Sequence, residues 1–389
     1  MNRLPIDTNY LSNVLSELLD IPSPTGYTDT ITMRVADMLD DLGLSVELTR
    51  RGAIRAIRRG RDIRGARAIV THLDTIGAIV KSIRPNGRPS LVPVGTWSAR
   101  FAEGARATVF SRKGGYRGTI LPLKSSGHTF NEEIDSQPVS WDNVEFRIDA
   151  LTRSPEETDR LGIEVGDLVA IDPQPEFLPN GFIVSRHLDN KAGVAAGLAA
   201  LSAMQHEEVE TPVDIHWLFT IAEEVGVGAA SIVSNDVASL LAIDNGTTAP
   251  GQNSDEFGVT IAMADQTGPF DYHLSKKLVD LCVENDIRYQ KDVFRYYRSD
   301  SASALEAGAD VRTALATFGV DSSHGYERIH LHALRSVAEL VTAFCISPVA
   351  IERDFYKRAD TTGFTDQPTD DAEQRLPRDV SRVHPPKSE

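Results

Sequence analysis

Only two cysteines, Cys282 and Cys345, stand in a chain of 389 residues. That excludes a disulfide framework and a thiolate metal cluster, and makes a reducing cytoplasm the expected setting. Positive charge is also scarce, since 40 Lys and Arg face 56 Asp and Glu for a formal net charge of −16. So acidic a balance argues against broad binding to nucleic acid or to anionic membranes. No apolar run approaches the roughly 20 residues needed to cross a bilayer, and the first residues, Met1 to Asp7, carry no signal-peptide core. Internal repeats are absent as well.

What is present reads as an α/β protein with an interruption. Leu11, Val14, Leu15 and Leu18 recur at helical spacing, as do Ile31, Val35, Met38, Leu39 and Leu42. Short strands follow, the last of them, Ala66 to Val70, leading straight into Thr71-His72-Leu73-Asp74. From about Ala78 the texture changes to short β-rich pieces with Pro-Asn-Gly and Lys-Gly-Gly turns, and strand–helix alternation resumes at Gly181. The expected organisation is a catalytic α/β domain from residues 1–78 and 179–348, with a mostly parallel sheet flanked by helices. A small β-barrel or sandwich of residues 79–178 is inserted in it, and a disordered tail runs from 349 to 389.

His72, Asp189, Glu223, Glu224, Asp244 and His324 each fall at or just beyond the carboxyl end of an expected strand. In a parallel sheet those ends share one edge, where α/β folds place their chemistry. Taken singly, each has a plain alternative: Asp189 as a helix cap, a lone His as a core or surface residue, Glu223-Glu224 as a solvated pair. Taken together, two imidazoles and several carboxylates suit zinc, cobalt or manganese better than an all-oxygen calcium site. A carboxylate such as Asp189 can bridge two cations. Of two adjacent glutamates, one can ligate while the other faces a water. Asp74 is placed to accept the second N–H of His72.

Six motifs then occur in order: Ser23-Pro24-Thr25-Gly26, His72-Leu73-Asp74-Thr75-Ile76-Gly77, Leu188-Asp189-Asn190-Lys191-Ala192-Gly193, Glu223-Glu224-Val225-Gly226, Ile243-Asp244 and Ser323-His324. Together, over about residues 8–346, they resemble the glutamyl and tetrahedral aminopeptidases, metallopeptidase family 42. The resemblance implies a zinc-peptidase-like fold and two divalent ions per subunit, zinc or cobalt first and manganese also suited. By the same resemblance Asp189 bridges the metals, His72 and Asp244 complete one site, and Glu224 and His324 complete the other. Glu223 becomes the general base and Asp74 orients His72. Residues 79–178 become an assembly element building dimers and possible dodecamers. Departures occur at Val227-Gly228-Ala229, Lys191 and Gly325-Tyr326, none of them a ligand.

Residues 244–253 and 294–301 also look like a bacterial subgroup associated with the osmoprotectant N-acetylglutaminylglutamine amide. That points to a short peptide or amidated dipeptide as substrate, with Gln252, Asn253, Arg295 and Arg298 able to pair with its polar groups. Tyr296 and Tyr297 read as packing residues. The expected function is a metallo-aminopeptidase on short peptides. The rivals are a metal-dependent deacylase or amidase, a glycoside hydrolase using Glu223, and a non-catalytic assembly protein.

Overall fold

The computed structural model describes residues 3–349, 351–356, 361 and 367. Nine strands form the main sheet, whose centre runs Val213–Thr220, Asp62–His72, Val237–Thr247 and Arg312–Val320, all parallel. Antiparallel partners extend both sides: Ile54–Arg58 and Val46–Leu48 on one, Val259–Asp265 on the other. The four central strands are buried almost throughout, which is why their sequence reads as continuous Val, Ile, Leu and Ala rather than as an alternation. Val259–Asp265 and its parallel partner Tyr289–Val293 escape the sequence reading. The second is an edge strand whose polar residues carry no apolar signal.

The helix Leu188–His206 packs against Asp62–His72 and Val237–Thr247, and Leu331–Ile346 packs against Arg312–Val320. Small residues explain the closeness of the first contact. A Cβ at Gly193 would stand 2.0 Å from Asn190 Oδ1 and 3.2 Å from Ile243 Cγ2. The sheet and its helices share one apolar core, in which Trp217, Phe219, Phe318 and Phe344 are fully shielded.

Residues 77–171 build a second sheet of six antiparallel strands. Its order is Pro89–Val94, Gly77–Ile83, Leu168–Ile171, Arg106–Ser111, Gly114–Pro122 and Val144–Ile148. The two outer strands lie against each other, so the sheet curls nearly into a barrel around its own core of Val80, Val109, Ile120, Phe146 and Val169.

Two expectations need correction. Phe182–Ser185 is not a strand of the parallel sheet; it sits in a separate three-stranded antiparallel sheet with Glu176–Phe177 and Glu327–His330. Asp189 therefore reaches the site from the first turn of a helix, in a non-helical backbone conformation, and not from a strand end. Past residue 349, Glu352–Phe355 form a short 3-10 turn, and Asp354 accepts a hydrogen bond from Arg312 at 2.8 Å. The expected tail otherwise lies outside the described residues. Among those described, no helix is long and apolar enough to cross a membrane.

Candidate metal centre

Parallel pairing brings the candidates together. Thr220 and His72 are in register at the ends of adjacent strands, which sets the Glu223-Glu224 loop beside the imidazole. Asp244 lies inside Val237–Thr247, one strand over, and His324 follows the end of Arg312–Val320. The start of the helix at Leu188 drops Asp189 between the two imidazoles. Its Oδ1 lies 3.3 Å from His72 Nε2 and its Oδ2 lies 3.2 Å from His324 Nε2. Asp244 Oδ1 and Glu223 Oε2 each stand 3.7 Å from His72 Nε2, and Glu224 Oε2 stands 3.4 Å from His324 Nε2.

Both imidazoles are fixed by their other nitrogen. His72 Nδ1 donates to the Asp74 carbonyl at 2.9 Å, and His324 Nδ1 donates to the Thr96 carbonyl at 2.9 Å. Carbonyls accept only, so Nδ1 carries the proton and each Nε2 lone pair is turned toward carboxylate oxygens. Lone pairs facing lone pairs require a cation between them, either a proton or a metal. Two ligand atoms held 2.0–2.1 Å from a tetrahedral ion lie about 3.4 Å apart, close to the spacings seen here. His72 Nε2 and Asp189 Oδ1 are also fully shielded and make no hydrogen bond. Two overlapping ligand groups meet these conditions, His72 with Asp189 and Glu224, and His72 with Glu223 and Asp244. The residues fit a metal centre.

Protons take the cations' place when no metal is bound. Burial works against the charge on both imidazoles, but the carboxylates outweigh it. Asp189, Asp244 and Asp74 hold His72 well above the usual histidine range, and Glu224 with Asp189 pushes His324 up to about 12. Burial pushes the carboxyls of Glu223 and Glu224 up, and that of Asp244 rises through burial and the neighbouring Asp189 charge. Asp189, between two imidazoles that outweigh its burial, is held below the usual carboxylate range.

The surrounding residues hold the turn that carries the glutamates. The sequence places the Asp74 carboxylate on His72, whereas the atom in hydrogen-bond reach is the Asp74 main-chain oxygen, with Oδ1 at 3.6 Å. The Asp74 carboxylate instead accepts from Thr25 Oγ1 at 2.7 Å and from the backbone N–H groups of Glu223 and Glu224 at 3.2 and 3.3 Å. Asp300 grips the far side of the loop, accepting from Thr220 Oγ1 at 2.5 Å and Ala229 N at 2.8 Å. Glu327 accepts from Asp189 N at 3.1 Å and His324 N at 2.9 Å. The sequence reading misses Asp300, Glu327 and Thr96. The first two resemble ordinary helix-start and strand residues, and Thr96 contributes only a carbonyl that any residue would supply.

The groups expected to meet a substrate carboxamide are engaged elsewhere. Gln252 Nε2 donates to Asp292 at 3.1 Å, Asn253 Nδ2 donates to the Lys291 carbonyl at 3.1 Å, and Arg298 pairs with Glu306 at 2.6 Å. Arg295 lies over the ring of Tyr296, which is 87% exposed and so is not a packing residue. Tyr297, also read as packing, rests its ring on Phe294 but turns its hydroxyl toward Asp244.

Three comparisons with known proteins bear on this site. A family model described as M42 glutamyl aminopeptidase matches residues 52–340. Among curated proteins, the chain is 35% identical over 337 residues to YhfE of Bacillus subtilis, which carries a provisional aminopeptidase name. The match covers 86% of this chain and 97% of that one. Among solved structures, a TET aminopeptidase from a marine sediment archaeon of the Thaumarchaeota superposes with a TM-score of 0.81 at 20% identity, covering 92% of this chain and 99% of that one. The Pyrococcus horikoshii TET1 peptidase, described as assembling into a tetrahedron or a large octahedral shell, gives 0.76 at 23% identity over 87% and 100% of the two chains. At such identities the structural likeness shows the fold alone.

Proposed function

The chain belongs to the M42 glutamyl aminopeptidase family, a family of metal-dependent hydrolytic peptidases, and from that premise we propose a dinuclear aminopeptidase acting on short peptides. The observation that carries the reading is Asp189, one oxygen toward His72 and the other toward His324. In this proposal Asp189 is the shared ligand, His72 and Asp244 hold one cation, and Glu224 and His324 hold the other. Zinc or cobalt suits this mixture of imidazole and carboxylate, with manganese as the next choice.

Bound divalent cations supply Lewis-acid polarisation of a carbonyl and lower the pKa of an attacking water. The chain's own residues do the rest. Glu223, presented by a turn clamped between Asp74 and Asp300, takes a proton from the attacking water and returns it to the departing amine. Asp74 acts by orienting that turn and, through its carbonyl, His72.

Residues 1–78 and 179–348 form the catalytic unit of this proposal, and residues 79–178 form an inserted unit that also builds a homo-oligomer of dimers, up to a dodecamer. The inserted unit has a second duty. Its Thr96 carbonyl orients His324, so removing it would disturb the site as well as the assembly. Sedimentation of the full chain is therefore the suitable measurement. A dimer or larger closed particle is expected, and a monomer at micromolar concentration would defeat the assembly proposal.

The substrate test pairs elemental analysis with an amide panel. Two divalent ions per chain are expected, with hydrolysis of free-amine dipeptides that is lost in chelator and restored by metal. Glutamine-containing dipeptides belong first in the panel because residues 244–253 and 294–301 resemble the osmoprotectant-linked subgroup. Equal rates on Leu-, Ala- and Gln-containing dipeptides would remove the osmolyte proposal. Release of acetate from the intact capped compound would instead make the protein a deacylase, and activity that survives chelation would sink the metal mechanism.

A further inference from the structure

We infer that Tyr297 is a substrate-facing hydrogen-bond donor, its phenolic O–H placed to meet the carbonyl oxygen of the scissile amide as negative charge develops there. This rests on the peptidase reading above.

The Tyr297 hydroxyl is completely shielded, and it makes no hydrogen bond of normal geometry. Buried phenols ordinarily find a partner, so an orphaned one asks for a reason. Its surroundings supply one. The Asp244 carboxylate faces the hydroxyl, with Glu223 and Asp189 next nearest, so it opens onto the space that His72 Nε2 and Asp189 Oδ1 also face unpartnered. A hydroxyl cannot usefully donate to a cation. The carboxylates there have their oxygens directed at the imidazoles. What remains for the O–H to meet is an oxygen brought in by a ligand, and the scissile carbonyl is the ligand oxygen that gains charge during hydrolysis.

The position is also rigid, as a preorganised donor requires. The Tyr297 ring packs on Phe294 with centroids 5.4 Å apart, and its carbonyl accepts from Gln266 N at 3.0 Å. Three residues on, Asp300 is bonded to Thr220, Ala229 and Ser303. The donor and the Glu223 loop are thus tied to one anchor. A donor fixed before the reaction costs no reorganisation as charge forms, which is where such groups gain most of their effect.

Tyr297→Phe tests this, because it removes one oxygen and keeps the ring. The full-length, metal-loaded enzyme is compared with the variant for metal content, kcat and KM on the dipeptide it cleaves fastest. Calorimetric affinity is measured for the phosphinic analogue of that dipeptide and for the free amino acid released. The expected result is unchanged metal content, a kcat lower by about 10²–10³-fold with KM within threefold. The phosphinate, which carries the tetrahedral oxygens, should weaken by a similar factor while the product is nearly unaffected. Equal phosphinate affinity in the two proteins would show a packing residue and overturn the inference alone. Loss of metal in the variant would show that the hydroxyl serves Asp244, and would overturn it too. A wild type that cleaves no free-amine dipeptide overturns the peptidase reading and this inference together.

Discussion

Glu223→Gln lowers kcat by about 10²–10⁴-fold while both cations stay bound, the range expected when a proton-transfer group is lost and the ligands are not. Glutamine matches glutamate in shape but cannot take up the proton of an attacking water. The geometry makes this a sharp test. Glu223 Oε2 lies 3.7 Å from His72 Nε2, as near as Asp244 does, so distance alone allows it to be a ligand. The paired variant Glu224→Gln is expected to lose one cation, because Glu224 faces His324 at 3.4 Å on the other side of Asp189. Metal analysis of the two proteins decides between the roles. If Glu223→Gln empties a site and Glu224→Gln does not, the assignment is reversed.

Asp189→Ala abolishes binding at both sites, and peptidase activity goes with it. Each Asp189 oxygen confronts a different imidazole, and a neighbouring side chain cannot replace both contacts at once. His72→Ala and His324→Ala are each expected to disturb chiefly one cation. Thermal melting gives a readout independent of catalysis. A ligand that binds the folded state stabilises it by about 4 kcal/mol at a thousandfold excess over Kd, so the wild type should melt higher as metal is added. Asp189→Ala should show almost no such rise. Two ions retained per chain in that variant would remove the bridging role.

The motifs were legible in sequence because their chemistry is local. A strand ending in His-Leu-Asp, a Glu-Glu turn, and an Asp before a small-residue helix each mark the end of a regular element, and parallel pairing gathers such ends without further instruction. Buried strands and amphipathic helices declare themselves by periodicity for the same reason, as Thr8–Leu19 and Asp29–Asp41 do. Edge strands do not, and Tyr289–Val293 was invisible.

What the sequence by itself determined is therefore the family, the alternation of elements around a β-rich interruption, and the set of ionisable residues available for metal. Only the tertiary structure decided which atoms meet. It brought Asp189 in on a helix start rather than a strand and gave the Asp74 carboxylate to the Glu223-Glu224 turn. It also made the Thr96 carbonyl a partner of His324 across the boundary of the two sheets, and aimed the Tyr297 hydroxyl at the cluster. These contacts join residues far apart in the chain. Their partners are backbone groups or side chains with no periodic or compositional signal, so nothing short of the packed chain specifies them.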